Sequence, residues 1–402
     1  MSPVPDIFGH QIDFAPGGDF EAFLRQVPAK WVVYLFADEH DQPIQLLCVK
    51  NLRYSLKRRL GGEEMLGTTA DAPTTAPSRR VDYRQIVRRV HWRRVDSAFE
   101  ADAVYLEAAR AVFPKTYQGM VGFRPAWFVH VNPDAEFPRY LKTTDLARHA
   151  GIYIGPLEDK HAAGKLIELV EDAFDLCRYY NVLVEAPRGK ACAYKEMGKC
   201  PAPCDGSVSM AQYRRLVELS AATLVDPADF LRGQTRRMQQ AAVELRFETA
   251  AKIKAYIEQL SQLGKGPFRY VRRLQDFQFL SLQRGSHLGF AKAFLVTPGN
   301  VDPIADLLEQ PARPGELLRT VLTLATERVR LPLDGVGAER VGVVSHHLFS
   351  AKKSHGMFIP LDAIDEKAIV SGYREVQKQQ AATPAEGESE NEGVMKELQA
   401  MG

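Results

Sequence analysis

Four of the five cysteines in this 402-residue chain, Cys177, Cys192, Cys200 and Cys204, fall close together as C-x14-C-x7-C-x3-C. Thiolates grouped in this way can enclose a zinc ion or an iron–sulfur cluster. Structural zinc usually takes tight pairs, about two to four residues apart, at both ends of the motif; only the last pair here is tight. Prolines and glycines around Cys200-Pro-Ala-Pro-Cys204-Asp-Gly describe a ligand loop better than a set of small packed core thiols. A bound group is expected, and spacing alone leaves its metal open.

A second chemistry is offered by Arg79-Arg80-Val-Asp-Tyr-Arg84-Gln-Ile-Val-Arg88-Arg89-Val-His91-Trp92-Arg93-Arg94. It holds seven arginines and one acid in a chain whose formal net charge is only +2. Arginines interleaved with Tyr83 and Trp92 suit phosphate contact plus stacking, so a DNA or RNA surface is expected there rather than a merely solvated face. Arg84, Arg88, Arg89, Arg93 and Arg94, joined by Lys50 and Arg53, are the candidate DNA contacts. Third, Met238–Ile253 sets small alanines beside Leu245, Phe247 and Ile253, a pattern for two short helices packed as a hairpin. Such a hairpin could offer its remaining apolar face, with Leu245, Phe247, Glu248 and Ala251, to a similar helix pair. Leu333-Asp-Gly335-Val-Gly337 reads as a plain loop, and His346, His347 and His355, lacking a metal spacing, as structural or surface residues.

The elements that must carry these groups follow from periodicity. WVVYLF and IQLLCV read as strands around a turn, NLRYSLKRRL as a helix capped by Asn51, and EADAVYLEAARAVF as a second helix. Residues 62–80, rich in Gly, Thr, Ala and Pro, read as a mobile loop, and WFVHV and YLKTT as strands closing this first unit. Helical patterns then run through KLIELVEDAFDL, AQYRRLVELSAATL and the hairpin. Strand-like segments return at residues 268–375 around the helix PGELLRTVLTLATERV. The polar, acidic end beyond residue 376 has no apolar period and is expected to be disordered. No apolar run reaches the length of a membrane span and no leader is evident, so a cytoplasmic protein is expected.

Taken in this order, the pieces resemble the UvrC family of bacterial DNA-repair proteins over about residues 28–330. WVVYLF…IQLLCVKNLR is similar to the entry of that family's GIY-YIG nuclease domain. YRQIVRRVHWRRVDSAFEADAVYLEAARAVFPKTYQ is similar to the stretch ending in its metal-binding glutamate helix. FPRYLKTTD…GIYIGP resembles the junction that follows the nuclease domain. The cysteine loop resembles the family's four-cysteine segment, which implies a 4Fe-4S cluster, with zinc as the alternative. ELRFETAAKIKAYI resembles the UVR motif, which implies pairing with UvrB, although Lys254-Ala255 replaces the usual Arg-Asp.

The resemblance also implies a catalytic set of two tyrosines, an arginine and a glutamate that holds Mg or Mn. Tyr34 and Glu107 match. The second tyrosine is Gln45, its glycine is Leu47, the following lysine is Cys48, and the arginine is Ser55. Arg58, three residues further along the helix, is the candidate replacement. Glutamine cannot serve as a base, and each lost preorganised group costs about two to three orders of magnitude in rate. The site is expected to be inactive or very slow, with an endonuclease using a rearranged site as the alternative. A cluster-bearing adaptor that binds only proteins is a further one. Residues 268–375 resemble only the family's middle region, so its second incision activity is not expected here.

The expected architecture is mixed α/β and α. It comprises a degenerate GIY-YIG-like domain at residues 1–150, a helical centre with the cysteines and the UVR hairpin at 151–265, a mixed α/β domain at 266–376, and a disordered tail at 377–402.

Overall fold

Val32–Ala37 (β2) is apolar at every position and buried at every position, as a strand covered on both faces must be. It lies inside an antiparallel sheet of order β1-β4-β2-β3, with β1 at His10–Asp13, β3 at Pro43–Val49 and β4 at Arg89–Arg94. Two helices, α1 (Phe20–Gln26) and α2 (Leu52–Leu60), cover the face that receives Val32, Tyr34 and Phe36. The other face, with Val33, Leu35 and Leu46, packs on Ala101, Val104, Ala108 and Ala109 of α4 (Ala98–Val112). A short α3 (Tyr83–Ile86) leads into β4. Asn51 caps α2 as expected, its Oδ1 accepting from Tyr54 N at 3.0 Å. This computed structural model describes residue 4 and residues 6–61, 82–147, 150–307, 313–328, 333–350 and 356–382. The expected loop at 62–80, with Arg79 and Arg80, and His355 lie outside them.

The strands expected to close this first unit do not join its sheet. Trp127–Val131 (β5) and Leu141–Thr143 (β6) pair instead with Ile152–Leu157 (β7) in a second sheet, order β6-β5-β7-β8, whose edge β8 is Arg272–Arg273. Alternation of residue type predicts a strand but not its partner. The centre is helical as expected, but around this sheet of its own: α5 (Lys160–Ala173), α6 (Tyr180–Leu183), α7 (Ala193–Glu196), α8 (Met210–Val225), α9 (Ala228–Val243) and α10 (Phe247–Leu260).

A third antiparallel sheet, order β11-β10-β9-β12, comprises Phe279–Arg284 (β9), Ala291–Thr297 (β10), Asn300–Leu307 (β11) and Gly356–Pro360 (β12). Three helices accompany it, not the one the sequence announced: α11 (Pro314–Arg328), α12 (Gly335–Phe349) and α13 (Glu366–Ala382). The expected plain loop at 333–337 is the start of α12, with Asp334 Oδ1 accepting from Gly337 N at 2.6 Å. Gly337 packs on Gly299, where an added Cβ would meet backbone at 3.1 Å. The tail expected to be disordered from 377 is helical to Ala382, and 383–402 lie outside the described residues. Among the described residues no helix is long and apolar enough to cross a membrane.

Candidate functional site

Alternation along β2 turns the Tyr34 side chain into the core under α2, where it is fully buried. Its hydroxyl shares a hydrogen bond of 2.9 Å with that of Ser55, the residue in the arginine's place. Burial pushes the phenol up to about 12, so Tyr34 is a sealed neutral group rather than a water-activating one. Gln45, in the second tyrosine's place, accepts from Arg59 Nη1 at 3.3 Å, and the Arg59 guanidinium lies 5.9 Å from the centre of the Tyr83 ring. Arg59, one turn beyond Ser55, is thus the arginine that meets this face, and the expected Arg58 is exposed. Arg53 is held by the Val27 carbonyl at 2.9 and 3.2 Å.

The shift in Tyr34 has a measurable consequence. Its folded pKa lies above the ordinary 10, so its contribution to stability is intact below pH 10 and is lost as pH rises through about 12. Tyr105 is pushed up to about 12 by burial in the same way. In an absorbance titration at the phenolate band, both should remain un-ionised near pH 11 while circular dichroism is native. A complete phenolate signal from native protein at that pH would contradict the burial.

Glu107 stands elsewhere. It is on α4, across the sheet from Tyr34, and faces away from that sheet. Its Oε1 accepts from Arg340 Nε at 2.8 Å and its Oε2 from Arg110 Nη2 at 2.9 Å, while Arg340 Nη1 also donates to the Gly299 carbonyl at 3.1 Å. The contact belongs to a row joining α4 to the third sheet and α12. Lys292 Nζ binds Asp96 at 2.8 Å and Glu100 at 2.8 Å, His347 Nε2 lies 2.8 Å from Asp102, and the Tyr117 hydroxyl donates to Glu339 at 2.6 Å. A cleft of about 290 Å³ beside this row is lined by Ile7, Arg93, Leu106, Phe294 and Val343 together with Glu107 and Arg340. Both Glu107 oxygens are taken by guanidinium groups, and among the described residues no three His, Cys, Asp or Glu are grouped to hold a metal ion. The divalent metal implied at Glu107 does not fit. Tyr34, Arg58 and Glu107 are not brought together.

The four cysteines do share one neighbourhood, between α5 and α8. All are free; Cys177 and Cys204 are buried, and Cys192 and Cys200 half-buried. Cys177 and Cys200 lie against each other; this contact, with burial, drives the Cys177 thiol up, and the same contact lowers Cys200 to about 7. The Ala202 N–H also points at Cys200 Sγ, at 3.4 Å, from a left-handed turn (φ +53°). Cys204 feels charge at both Cys200 and Cys192. Four unlinked thiols with a backbone amide directed at one sulfur are donors of the kind a thiolate-bound group takes, but among the described residues no three of them are grouped closely enough to hold a metal ion.

Only the end of the basic stretch, Arg89–Arg94, is an interior strand, whose arginines are divided between two faces; Arg84 lies on α3 and Arg88 on the link before the strand. Arg84 forks onto Asp82 with two bonds of 2.9 Å, Arg89 joins Asp13 at 2.7 Å and Asp41 at 2.5 Å, and Arg94 lies 3.4 Å from Asp96. Arg88 binds the Val87 carbonyl at 2.8 Å, and Arg93 reaches that of Ile7 at 3.4 Å. The expected single patch is therefore divided. Lys50 lies on the short link between β3 and α2, beside a basic surface formed by α2 and α3, where Lys57 and Arg58 are exposed with Tyr54. The run Lys57-Arg58-Arg59 was the signal for it in the sequence.

Helices α9 and α10 form the expected hairpin, sealed by Ala241 and Ile253. Leu245 takes a left-handed conformation (φ +57°) between them, its N–H donating to the Ala242 carbonyl at 3.0 Å. Val243, Leu245 and Phe247 at the tip are 64–78% exposed, and Glu248 and Ala251 are exposed beside them. At the base, Tyr256 donates to Asp175 at 3.5 Å and Lys199 sits over the Tyr256 ring at 5.5 Å, linking α10 to the cysteine loop.

Residues 126–223 match the family described as UvrC/Cho excinuclease, middle domain, and residues 229–263 match the UvrB/uvrC motif. UvrABC system protein C of Caldanaerobacter subterraneus subsp. tengcongensis is 25% identical over 70% of this chain and 45% of its own length. The protein of the same name from Campylobacter jejuni is 24% identical over 70% and 45%, and that of Thermoanaerobacter sp. is 29% identical over 43% and 29%. The chain thus spans less than half the length of these relatives. No solved structure matches it. The chain is related to the UvrC family, whose middle domain and UVR motif it carries.

Proposed function

We propose that this chain is a cytoplasmic DNA-repair protein of nucleotide excision repair that binds DNA and a UvrB-type helix pair and does not itself incise. The observation that supports this most is the separation of Tyr34 from Glu107, one sealed against Ser55 and the other held by Arg340 and Arg110. Among the described residues, Tyr34 and Glu107, the two groups that match the catalytic set, do not share a face of the sheet. The exposed apolar hairpin tip supports the partner, and the α2–α3 surface supports the DNA. Cys177, Cys192, Cys200 and Cys204 would hold a 4Fe-4S cluster, or zinc, which would cross-link the loop beneath the hairpin base.

Incubation with damaged and undamaged duplex plus magnesium or manganese, with and without UvrB, beside Glu107→Ala, tests the reading. Binding without nicking is expected. Nicking abolished by Glu107→Ala would establish instead an endonuclease with a rearranged site. If Lys50 and the exposed Arg53, Lys57 and Arg58 of α2 make roughly four phosphate contacts, the log–log salt slope should be near about −3.5. A slope near zero with UvrB still bound would leave a protein-only adaptor. Iron and zinc analysis of the purified protein, repeated on Cys200→Ser, decides the bound group.

A further inference from the structure

The cysteine loop turns a second kind of surface outward. Tyr179 and Tyr180 are 46% and 40% exposed. Their placement is built rather than loose. The Tyr179 carbonyl accepts from Val182 N at 3.1 Å, Leu183 N at 2.9 Å and Cys177 Sγ at 3.5 Å, and Leu183 anchors the turn in the core. The Tyr179 ring stands edge-on to Tyr194 at 5.7 Å, and the Arg139 guanidinium lies 3.9 Å over the Tyr180 ring. Arg139 is set there because Arg214 of α8 grips its loop through the Ala135 and Glu136 carbonyls, at 3.0 and 3.1 Å.

We propose that this surface binds an unpaired nucleic-acid strand, with bases stacked on Tyr179 and Tyr180 and phosphates taken by Arg139, Arg188 and Lys190. The proposal rests on the DNA-binding reading above and gives it a strand preference. Arg178 and Lys195 nearby are neutralised by Asp172 and Asp205, but among the described residues no carboxylate pairs with Arg139, Arg188 or Lys190. Exposed Glu185 and Glu196 leave the three cations in excess. In a duplex the faces of the bases are covered by their neighbours, so two fixed, exposed phenol rings add little there. A splayed strand offers one face per ring, with no demand on base identity.

The test is fluorescence anisotropy of the full chain with labelled oligothymidine and with a duplex of equal length. Tyr179→Ser with Tyr180→Ser should weaken oligothymidine binding at least about tenfold, because each stacked base contributes on that scale, and duplex binding less than about twofold. Tyr179→Phe with Tyr180→Phe, which keeps the rings, should restore wild-type affinity. Unchanged oligothymidine binding by the serine variant, or equal losses for both DNA forms, would overturn the strand site while leaving duplex binding by α2–α3 standing. A wild-type chain that binds neither form would remove both.

Discussion

Arg340→Glu should destabilise the chain by about 3 kcal/mol, and Glu107→Arg added to it should recover most of that loss. Arg340 and Glu107 are 29% and 31% exposed, so water screens the pair in part and its net attraction is modest. Reversal costs more than removal. It sets two carboxylates where a 2.8 Å ion pair stood, deprives the Gly299 carbonyl of its donor, and leaves Arg110 to serve both acids. Urea unfolding of the two single variants and the double variant isolates the coupling between them. A single reversal that costs less than about 0.5 kcal/mol would show that the contact does not hold the units together. Glu107 would then again be open to a metal, which manganese titration would reveal.

Leu245→Ser with Phe247→Ser should weaken binding of a UvrB-type helix pair about a hundredfold, with stability unchanged within about 0.5 kcal/mol. The two side chains, 73% and 64% exposed, contribute little to the hairpin that carries them; Ala241 and Ile253 seal it without them. Large apolar groups fully covered on binding are the ones that dominate an interface. Calorimetric titration with UvrB, beside thermal unfolding of the same variant, reads both quantities. Unchanged affinity would sink the tip as the contact. Affinity and stability lost together would instead mark these residues as packing.

What could be read from the sequence was what local pattern determines. β2 was legible because six consecutive apolar residues admit few other structures, and α2 because Asn51 precedes a helical period. The hairpin and the cysteine loop were legible too, and the family matches at 126–263 fall on them. Strand pairing was not: β5 and β6 alternate as well for one sheet as for another. The clasp on α4 was out of reach, since Lys292, Arg340 and His347 lie 192 to 245 positions from the acids they meet. Its trace in the sequence was Glu100 and Glu107, two turns apart on one face. The arginine run did not announce its own division, because charge density says nothing of alternation, and over Arg89–Arg94 it is a strand that turns its charges both ways. α12 was missed because three glycines dilute its helical period.

Mechanically, the hairpin is a cantilever. α10 has 14 residues and so a length of about 21 Å, and its lower end, at Leu260 with Leu263 just beyond it, is clamped in the core. A rotation of about 5° at the clamp carries the tip roughly 2 Å, on a helical rise of about 1.5 Å per residue. The same geometry works in reverse. A load gripping Val243, Leu245 and Phe247 acts through the full arm on the joint where Tyr256 meets Asp175, and so exerts its torque on the segment that bears the cysteines.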